Sequence, residues 1–184
     1  MTCIVGLVAQ KDRAVWLGAD SAGVAGLGLM VRKDAKVFRV GQYAIGITGS
    51  FRMGQLIQHA FQPPRFNGAG PTHKFMCTAF VDALRTCLKA GGFLKIENGV
   101  EEGGFFLVGA AARLYRIESD LQVGESVLPY DAIGCGAEIA LGAMYATAAM
   151  EPKVRLRRAL GAAEQFSAGV RRPFHCMRLA GGPA

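Results

Sequence analysis

The order of hydrophobic periods predicts an α+β fold, a four-layer αββα sandwich with two antiparallel sheets between helix pairs. Three observations predict it. The chain alternates strands, two helices, strands, two helices and a strand, and helices that come in pairs oppose a βαβ parallel sheet. Its 184 residues are 51% hydrophobic and 19% charged, enough for one sizeable core and far from the composition of a disordered chain. Neither an internal repeat nor a linker interrupts the pattern, so residues 1–184 read as one domain.

The elements follow from the residues. Thr2 to Ala9 is a short apolar run ended by the polar turn Gln10-Lys11-Asp12-Arg13, and Ala14 to Ala19 is a second run, so the two predict a hairpin. A glycine-rich stretch from Gly23 to Gly28 follows. Leu29 to Val31, Lys36 to Val40 and Tyr43 to Thr48 are further strands, with Gly41-Gln42 as the tight turn between the last two. The period then changes. Met53, Leu56, Ile57, Ala60 and Phe61 lie on one face of a helix with Ser50 as N-cap, stopped by Pro63-Pro64. A second helix starts near Thr72, carries Met76, Phe80, Leu84, Cys87 and Leu88 on one side, and ends at Gly91-Gly92. Phe105 to Ala110, Arg113 to Ile117 and Tyr130 to Ile133 are strands. Helices are expected over Ala137 to Ala149 and Val154 to Ala168, and a last strand over Pro173 to Leu179.

Charge and cysteine usage narrow the function classes. The net charge is +7, and from Glu151 onward seven basic residues face two acidic ones, which places +5 of it in that region. Such a patch can meet nucleic acid or an acidic partner. The basic residues are not interleaved with aromatics as nucleic-acid grooves prefer, so a solvated or subunit-facing helix surface is the stronger expectation. The five cysteines are widely spaced without a Cys-x-x-Cys, and the three histidines form no His-x-x-x-His pair, so neither a disulfide framework nor a metal site is expected. No apolar run reaches the roughly 20 residues of a membrane span. No basic segment precedes the apolar start, so a signal peptide is not expected either. The expectation is a cytoplasmic protein that needs no cofactor.

Candidate chemistry concentrates at the N-terminus. The chain has no Gly-x-Ser-x-Gly elbow, Walker loop or His-Glu-x-x-His. Gly134-Cys135-Gly136, between a strand and a helix, is a weak phosphate-cradle signal. Thr2 follows Met1 and is small enough for Met1 to be removed by an aminopeptidase. A free α-amine has a pKa of about 7.7–8.0 and can act as base toward its own hydroxyl at neutral pH. Asp20 ends the second strand and Lys36 opens a later one; a carboxylate beside a lysine holds it charged and oriented. A fixed cation near a threonine Oγ favours the alkoxide. Gly49, where a strand hands over to a helix, can aim its N–H at a developing oxyanion.

These pieces resemble proteasome β-type subunits, which are N-terminal-nucleophile hydrolases. The matching segments are Thr2-Cys3-Ile4-Val5-Gly6, Gly18-Ala19-Asp20-Ser21, Ala35-Lys36-Val37, Gly46-Ile47-Thr48-Gly49-Ser50, Ile133-Gly134-Cys135-Gly136 and Glu164-Gln165-Phe166-Ser167-Ala168-Gly169. They keep the family's order over nearly the whole chain. The short length and bare Met-Thr start are similar to the bacterial branch, HslV and the bacterial proteasome homologues. The resemblance implies Thr2 as nucleophile and amine base, Asp20 and Lys36 as the charge pair, and Gly49 as oxyanion donor. It further implies that Cys135, Glu164 and Ser167 support the amine, and that Val24, Ile47 and Phe51 face the substrate. Cys135 stands where the family usually has Ser, and Glu164 where it usually has Asp. Cys is a weaker donor than Ser, and Glu reaches one methylene further.

The leading expectation is therefore a self-compartmentalising threonine-type peptidase acting on peptides or unfolded protein. It would form a homo-oligomeric ring, in all two rings face to face, which an ATPase partner could feed. A catalytically silent ring subunit, a small-amide hydrolase of the same fold, and nucleic-acid binding through the basic region are the competing readings.

Overall fold

The computed structural model of the chain describes residues 1–97 and 100–181. In order, these form β1 (Ile4–Ala9), β2 (Ala14–Ala19), β3 (Ala22–Ala25), β4 (Gly28–Val31), β5 (Val37–Val40), β6 (Tyr43–Ile47), α1 (Phe51–His59), α2 (Thr72–Phe75), α3 (Val81–Ala90), β7 (Lys95–Glu97), β8 (Val100–Glu102), β9 (Phe106–Ala110), β10 (Arg113–Ile117), β11 (Val123–Gly124), β12 (Tyr130–Ile133), α4 (Ala137–Ala146), α5 (Pro152–Phe166) and β13 (His175–Ala180).

Two antiparallel sheets carry the architecture, one in the order β12-β1-β2-β13 and the other in the order β11-β10-β9-β6-β5. The alternation of side chains along each strand builds three apolar layers. Ile4, Val15, Leu17, Ala44, Leu107, Leu114 and Ile133 fill the space between the sheets. Cys3, Val5 and Leu7, the other face of the first sheet, meet Ala140, Met144, Leu156, Ala159 and Leu160 of α4 and α5. Tyr43, Ile45, Ile47, Phe106 and Val108, the outer face of the second sheet, meet Met53, Ile57, Phe80, Leu84 and Leu88 beneath α1 and α3. The fold is thus the predicted αββα sandwich.

Most elements lie where the periodicity places them. β1 and β2 pair from Ile4↔Ala19 to Ala9↔Ala14. Their turn is a short 3-10 segment (Gln10–Asp12) closed by Arg13 in a left-handed conformation, φ 47°. Val40↔Tyr43 pairing leaves Gly41-Gln42 as a two-residue turn. The Ser50 hydroxyl accepts from the N–H groups of Arg52 and Met53, which makes it the N-cap of α1. The second predicted helix is a run of α2, a π turn over Met76–Phe80, and α3. The wider turn keeps both Met76 and Phe80 fully buried.

Four strands, β3, β7, β8 and β11, lie outside the expected set. The glycine-rich stretch contains β3, which forms a hairpin with β4 through Ala22↔Val31 to Ala25↔Gly28. Its sheet has only two strands, and β4 is exposed along its whole length, so no burial period marks it. The β7–β8 pair and the two-residue β11 are likewise too short to show a period.

Candidate active site

The site is assembled where β1 begins, β2 ends and β5 begins. Asp20 directly follows β2 and is fully buried. Its Oδ1 accepts from the Cys3 N–H at 2.9 Å and from Lys36 Nζ at 2.8 Å. Its Oδ2 accepts from the Ala22 N–H at 2.8 Å and the Arg171 N–H at 3.2 Å. A buried carboxylate is tolerable only when its lone pairs are satisfied in this way. The Lys36 ammonium is thereby held at the residue next to Thr2, with only 2% of its side chain exposed. Burial pushes the Lys36 pKa below the usual lysine range, while the charge and hydrogen bond of Asp20 oppose that shift. In the sequence Lys36 shows only as the residue that opens a strand. The structure instead makes it one of the largest fully enclosed side chains.

Thr2 is 4% exposed and precedes β1. Its N–H donates to Cys135 Sγ at 3.3 Å, the Cys135 thiol reaches the Thr2 carbonyl at 3.4 Å, and the same sulfur lies 3.4 Å from Ser167 Oγ. The Gly136 N–H also donates to the Thr2 carbonyl, at 3.4 Å. With Met1 attached, the Thr2 nitrogen is an amide, and the Thr2 hydroxyl donates to the Met1 carbonyl at 2.6 Å. That arrangement holds neither a free base nor a free nucleophile.

Gly134 fixes this contact. Its φ is +97°, and a Cβ there would overlap the Thr2 carbonyl. Left-handed strain costs roughly 1–3 kcal/mol, and the overlap adds to it. Gly134→Ala is therefore expected to lower the thermal midpoint by roughly 5 °C or more for a chain of this size. Gly26→Ala, also at positive φ (+55°) but with nothing within 4 Å, should lose clearly less. Equal losses by scanning calorimetry would show that the Thr2 contact contributes nothing.

Gly49 lies between β6 and α1 at φ +95° and is exposed. Among the described residues, no acceptor engages its N–H. Glu164 is engaged by Arg172: it accepts from the Arg172 N–H and from Arg172 Nε, each at 2.8 Å. Burial raises its pKa, but the Arg172 hydrogen bonds and charge outweigh that and leave it lowered. Glu164 thus anchors the segment whose neighbouring Arg171 N–H reaches Asp20.

Of the three predicted substrate-facing residues, Ile47 and Phe51 line one cavity of about 140 Å³, together with Arg32, Phe38 and Gly54. The Arg32 guanidinium stacks 3.9 Å from the Phe51 ring centre, and Lys36 Nζ lies 5.8 Å from it. Val24 is half-buried on the β3–β4 hairpin and does not line that cavity. A larger hollow of about 440 Å³ opens near Arg13 and Val127 at the far end of β1, and none of the predicted site residues lines it. Among the described residues, no three His, Cys, Asp or Glu side chains converge as metal ligands. No helix among them is long and apolar enough to cross a membrane. The basic C-terminal region is partly consumed internally. Arg155 is buried against the Met144 carbonyl and the Tyr130 ring, and Arg172 pairs with Glu164 at 2.7 Å.

The sequence reading misses the backbone donors of Ala22 and Arg171, and it misses Arg172. A backbone N–H carries no residue signature, and only the fold brings Arg171 to Asp20 across 151 positions.

No protein-family model matches the chain, and no curated protein sequence matches it significantly. Solved structures do. Thiobacillus denitrificans BPH superposes with a TM-score of 0.81 at 22% identity, covering 100% of both chains. It has also been solved in complex with Epoxomicin. Eukaryotic HslV from Trypanosoma brucei gives a TM-score of 0.67 at 17% identity, covering 97% of this chain and 99% of its own. The Anbu (Gly-1) mutant from Hyphomicrobium sp. strain MC1 gives 0.66 at 16%, covering 99% and 84%. These neighbours are proteasome-type N-terminal-nucleophile hydrolases, and their fold is the fold of this chain.

Proposed function

We propose that this chain is a threonine-type peptidase whose nucleophile is Thr2 after loss of Met1. The observation that carries the reading is the enclosed Asp20–Lys36 pair at 2.8 Å, tied through the Cys3 N–H to the residue beside Thr2. A lysine buried to this degree without catalytic use would be an expensive way to stabilise a strand end.

The geometry supports a simple sequence of events. Removal of Met1 frees the α-amine and releases the Thr2 hydroxyl from the Met1 carbonyl. The amine takes the hydroxyl proton, directly or through one water, while the Lys36 ammonium favours the developing alkoxide. Thr2 Oγ adds to the substrate carbonyl, and the free Gly49 N–H receives the oxyanion. The protonated amine then delivers its proton to the leaving nitrogen. Water hydrolyses the acyl-enzyme with the amine again as base. Cys135 and Ser167 hold the Thr2 main chain in place.

The cavity lined by Ile47 and Phe51 suits an inserted substrate side chain of middle size. A Cβ on Gly54 would overlap Ile47 Cδ1 and push that side chain into the cavity. Gly54→Ala should therefore raise KM for peptides with large side chains before the cleaved bond more than it lowers kcat, roughly 10-fold. Equal effects on small and large side chains would remove this cavity from substrate recognition.

Assembly into a ring of identical subunits belongs to the same reading. Leu27, Leu29, Met30 and Val31 on the β3–β4 hairpin, and Tyr145, Met150, Val154 and Phe166 on and around α4 and α5, are exposed apolar side chains. Two such patches on one chain suit neighbours on both sides and a second ring. Native mass spectrometry at micromolar concentration should show a high-order oligomer, and a stable monomer would overturn the ring. The catalytic reading is tested with an electrophilic peptide probe and mapping of the adduct. Epoxomicin, bound in the BPH structure, is the first probe to use. An adduct at Thr2 is expected, and an adduct at Cys135 would overturn the choice of nucleophile.

A further inference from the structure

Cys135 differs from the other cysteines in what it touches. Cys3 is buried, while Cys87 and Cys176 are partly buried, and burial pushes the pKa of all three thiols up. They are held as protonated, unreactive thiols. Cys135 is exposed, and its sulfur lies 3.3 Å from the Thr2 nitrogen and 3.4 Å from Ser167 Oγ. The pocket is fitted to that sulfur, because a Cβ on Gly169 would come within 2.9 Å of it. Loss of Met1 turns that amide nitrogen into a primary amine, and a solvent-reachable thiol in van der Waals contact with it is then a reactive pair once an oxidant arrives.

We propose that Cys135 is a peroxide-sensitive modification site whose sulfenic acid is trapped by the Thr2 α-amine as a reversible sulfur–nitrogen bond. This rests on the reading of Thr2 as the processed N-terminus. In the first step the Cys135 sulfur attacks a peroxide oxygen. The oxygen–oxygen bond breaks, the sulfur is oxidised to S–OH, and the peroxide is reduced to water. In the second step the Thr2 amine attacks that sulfur, a nitrogen–sulfur bond forms, and the hydroxyl leaves with one amine proton as water. The protein loses two hydrogen atoms in total. An external thiol reverses the bond: the thiol sulfur attacks Cys135, the amine leaves protonated, and a second thiol releases Cys135 from the mixed disulfide.

The consequence is a lock on the nucleophile. The trapped nitrogen has given up a proton and lies bonded to sulfur, so it cannot serve as base for Thr2 Oγ. Trapping also protects Cys135 from irreversible oxidation to the sulfinic and sulfonic acids. A serine at this position would make the same contacts to Thr2 without this chemistry.

The test uses the full chain carrying Cys77→Ser, because Cys77 is the other exposed thiol and lies 3.4 Å from His73 Nε2. Loss of Met1 is verified first by intact mass. Hydrogen peroxide should produce a species lighter by two hydrogen atoms, and proteolysis should yield one peptide joining Thr2 to Cys135. Labelling by the electrophilic probe should fall at least about 10-fold. Dithiothreitol should restore both mass and labelling. In Cys135→Ser the two-hydrogen loss should vanish, and labelling after peroxide divided by labelling before should stay near one, whatever the rate of that variant. The proposal is overturned by Cys135 sulfinic or sulfonic acid without the joined peptide, or by a Cys3–Cys135 disulfide. It is equally overturned if the joined peptide forms as readily in chains that keep Met1. Failure of the reduced, Met1-free protein to label sinks the peptidase reading alone, because the joined peptide is read by mass.

Discussion

Thr2→Ala is expected to abolish both probe labelling and peptide cleavage while leaving the assembled protein folded. Removing a nucleophile that forms the covalent intermediate typically costs roughly 10⁴–10⁶ in rate. The Thr2 side chain contributes little to the core: among the described residues its hydroxyl bonds only to the Met1 carbonyl, and its main-chain contacts to Cys135 and Gly136 survive the substitution. Chains retaining Met1 should behave like Thr2→Ala, since an amide nitrogen cannot take the hydroxyl proton. Thr2→Ser keeps both hydroxyl and amine and should retain measurable cleavage. The assay is turnover of a short fluorogenic peptide at equal assembly mass. Activity of Thr2→Ala within about 10-fold of wild type would place the nucleophile elsewhere.

The fold and the site were not equally legible in the sequence. β1, β2, β6 and β9 are buried on both faces and show as short apolar runs, while a period of 3.6 marks α1 and α3 because each has one buried face. The exposed β4 has no such face, so its pairing with β3 leaves no trace in the residue pattern. Within the site, Asp20 meets Lys36, and Cys135 meets Thr2 and Ser167, through hydrogen bonds made by side chains whose types are visible in the sequence. Glu164 was visible as a residue but not in its partner: it turns to Arg172 because an exposed guanidinium and a backbone N–H beside it satisfy both carboxylate oxygens. The depth of Lys36 was also hidden. A lysine preceded by Asp34 and Ala35 looks like a surface charge, and only the packing of β5 against β2, which Asp20 follows, encloses it.

That enclosure shapes the largest expected electrostatic effect. Lys36→Met keeps most of the apolar stem and removes the charge. Loss of one preorganised charge typically costs roughly 10²–10⁴ in rate, and cleavage should fall by that factor. The variant will also lose stability, because Asp20 remains buried without its cation. Three backbone N–H groups, from Cys3, Ala22 and Arg171, still satisfy the carboxylate and limit that loss. Lys36→Arg should rescue poorly, since the broader guanidinium does not fit a site closed around an ammonium. The pH profile separates a catalytic charge from a structural one. The rate should rise as the Thr2 amine deprotonates, with an ordinary pKa of about 7.7–8.0. It should fall again as Lys36 loses its proton, and burial places that loss below the usual lysine range. Asp20 opposes the downward shift, so Asp20→Asn removes an attraction for the proton and should move the alkaline limb to still lower pH, in addition to slowing the reaction. Because both residues act through one ammonium, the double variant should be far less than additive. An alkaline limb that stays in place in Asp20→Asn, or a folded Lys36→Met that keeps its rate within about twofold, would make Lys36 a buried structural cation and remove it from catalysis.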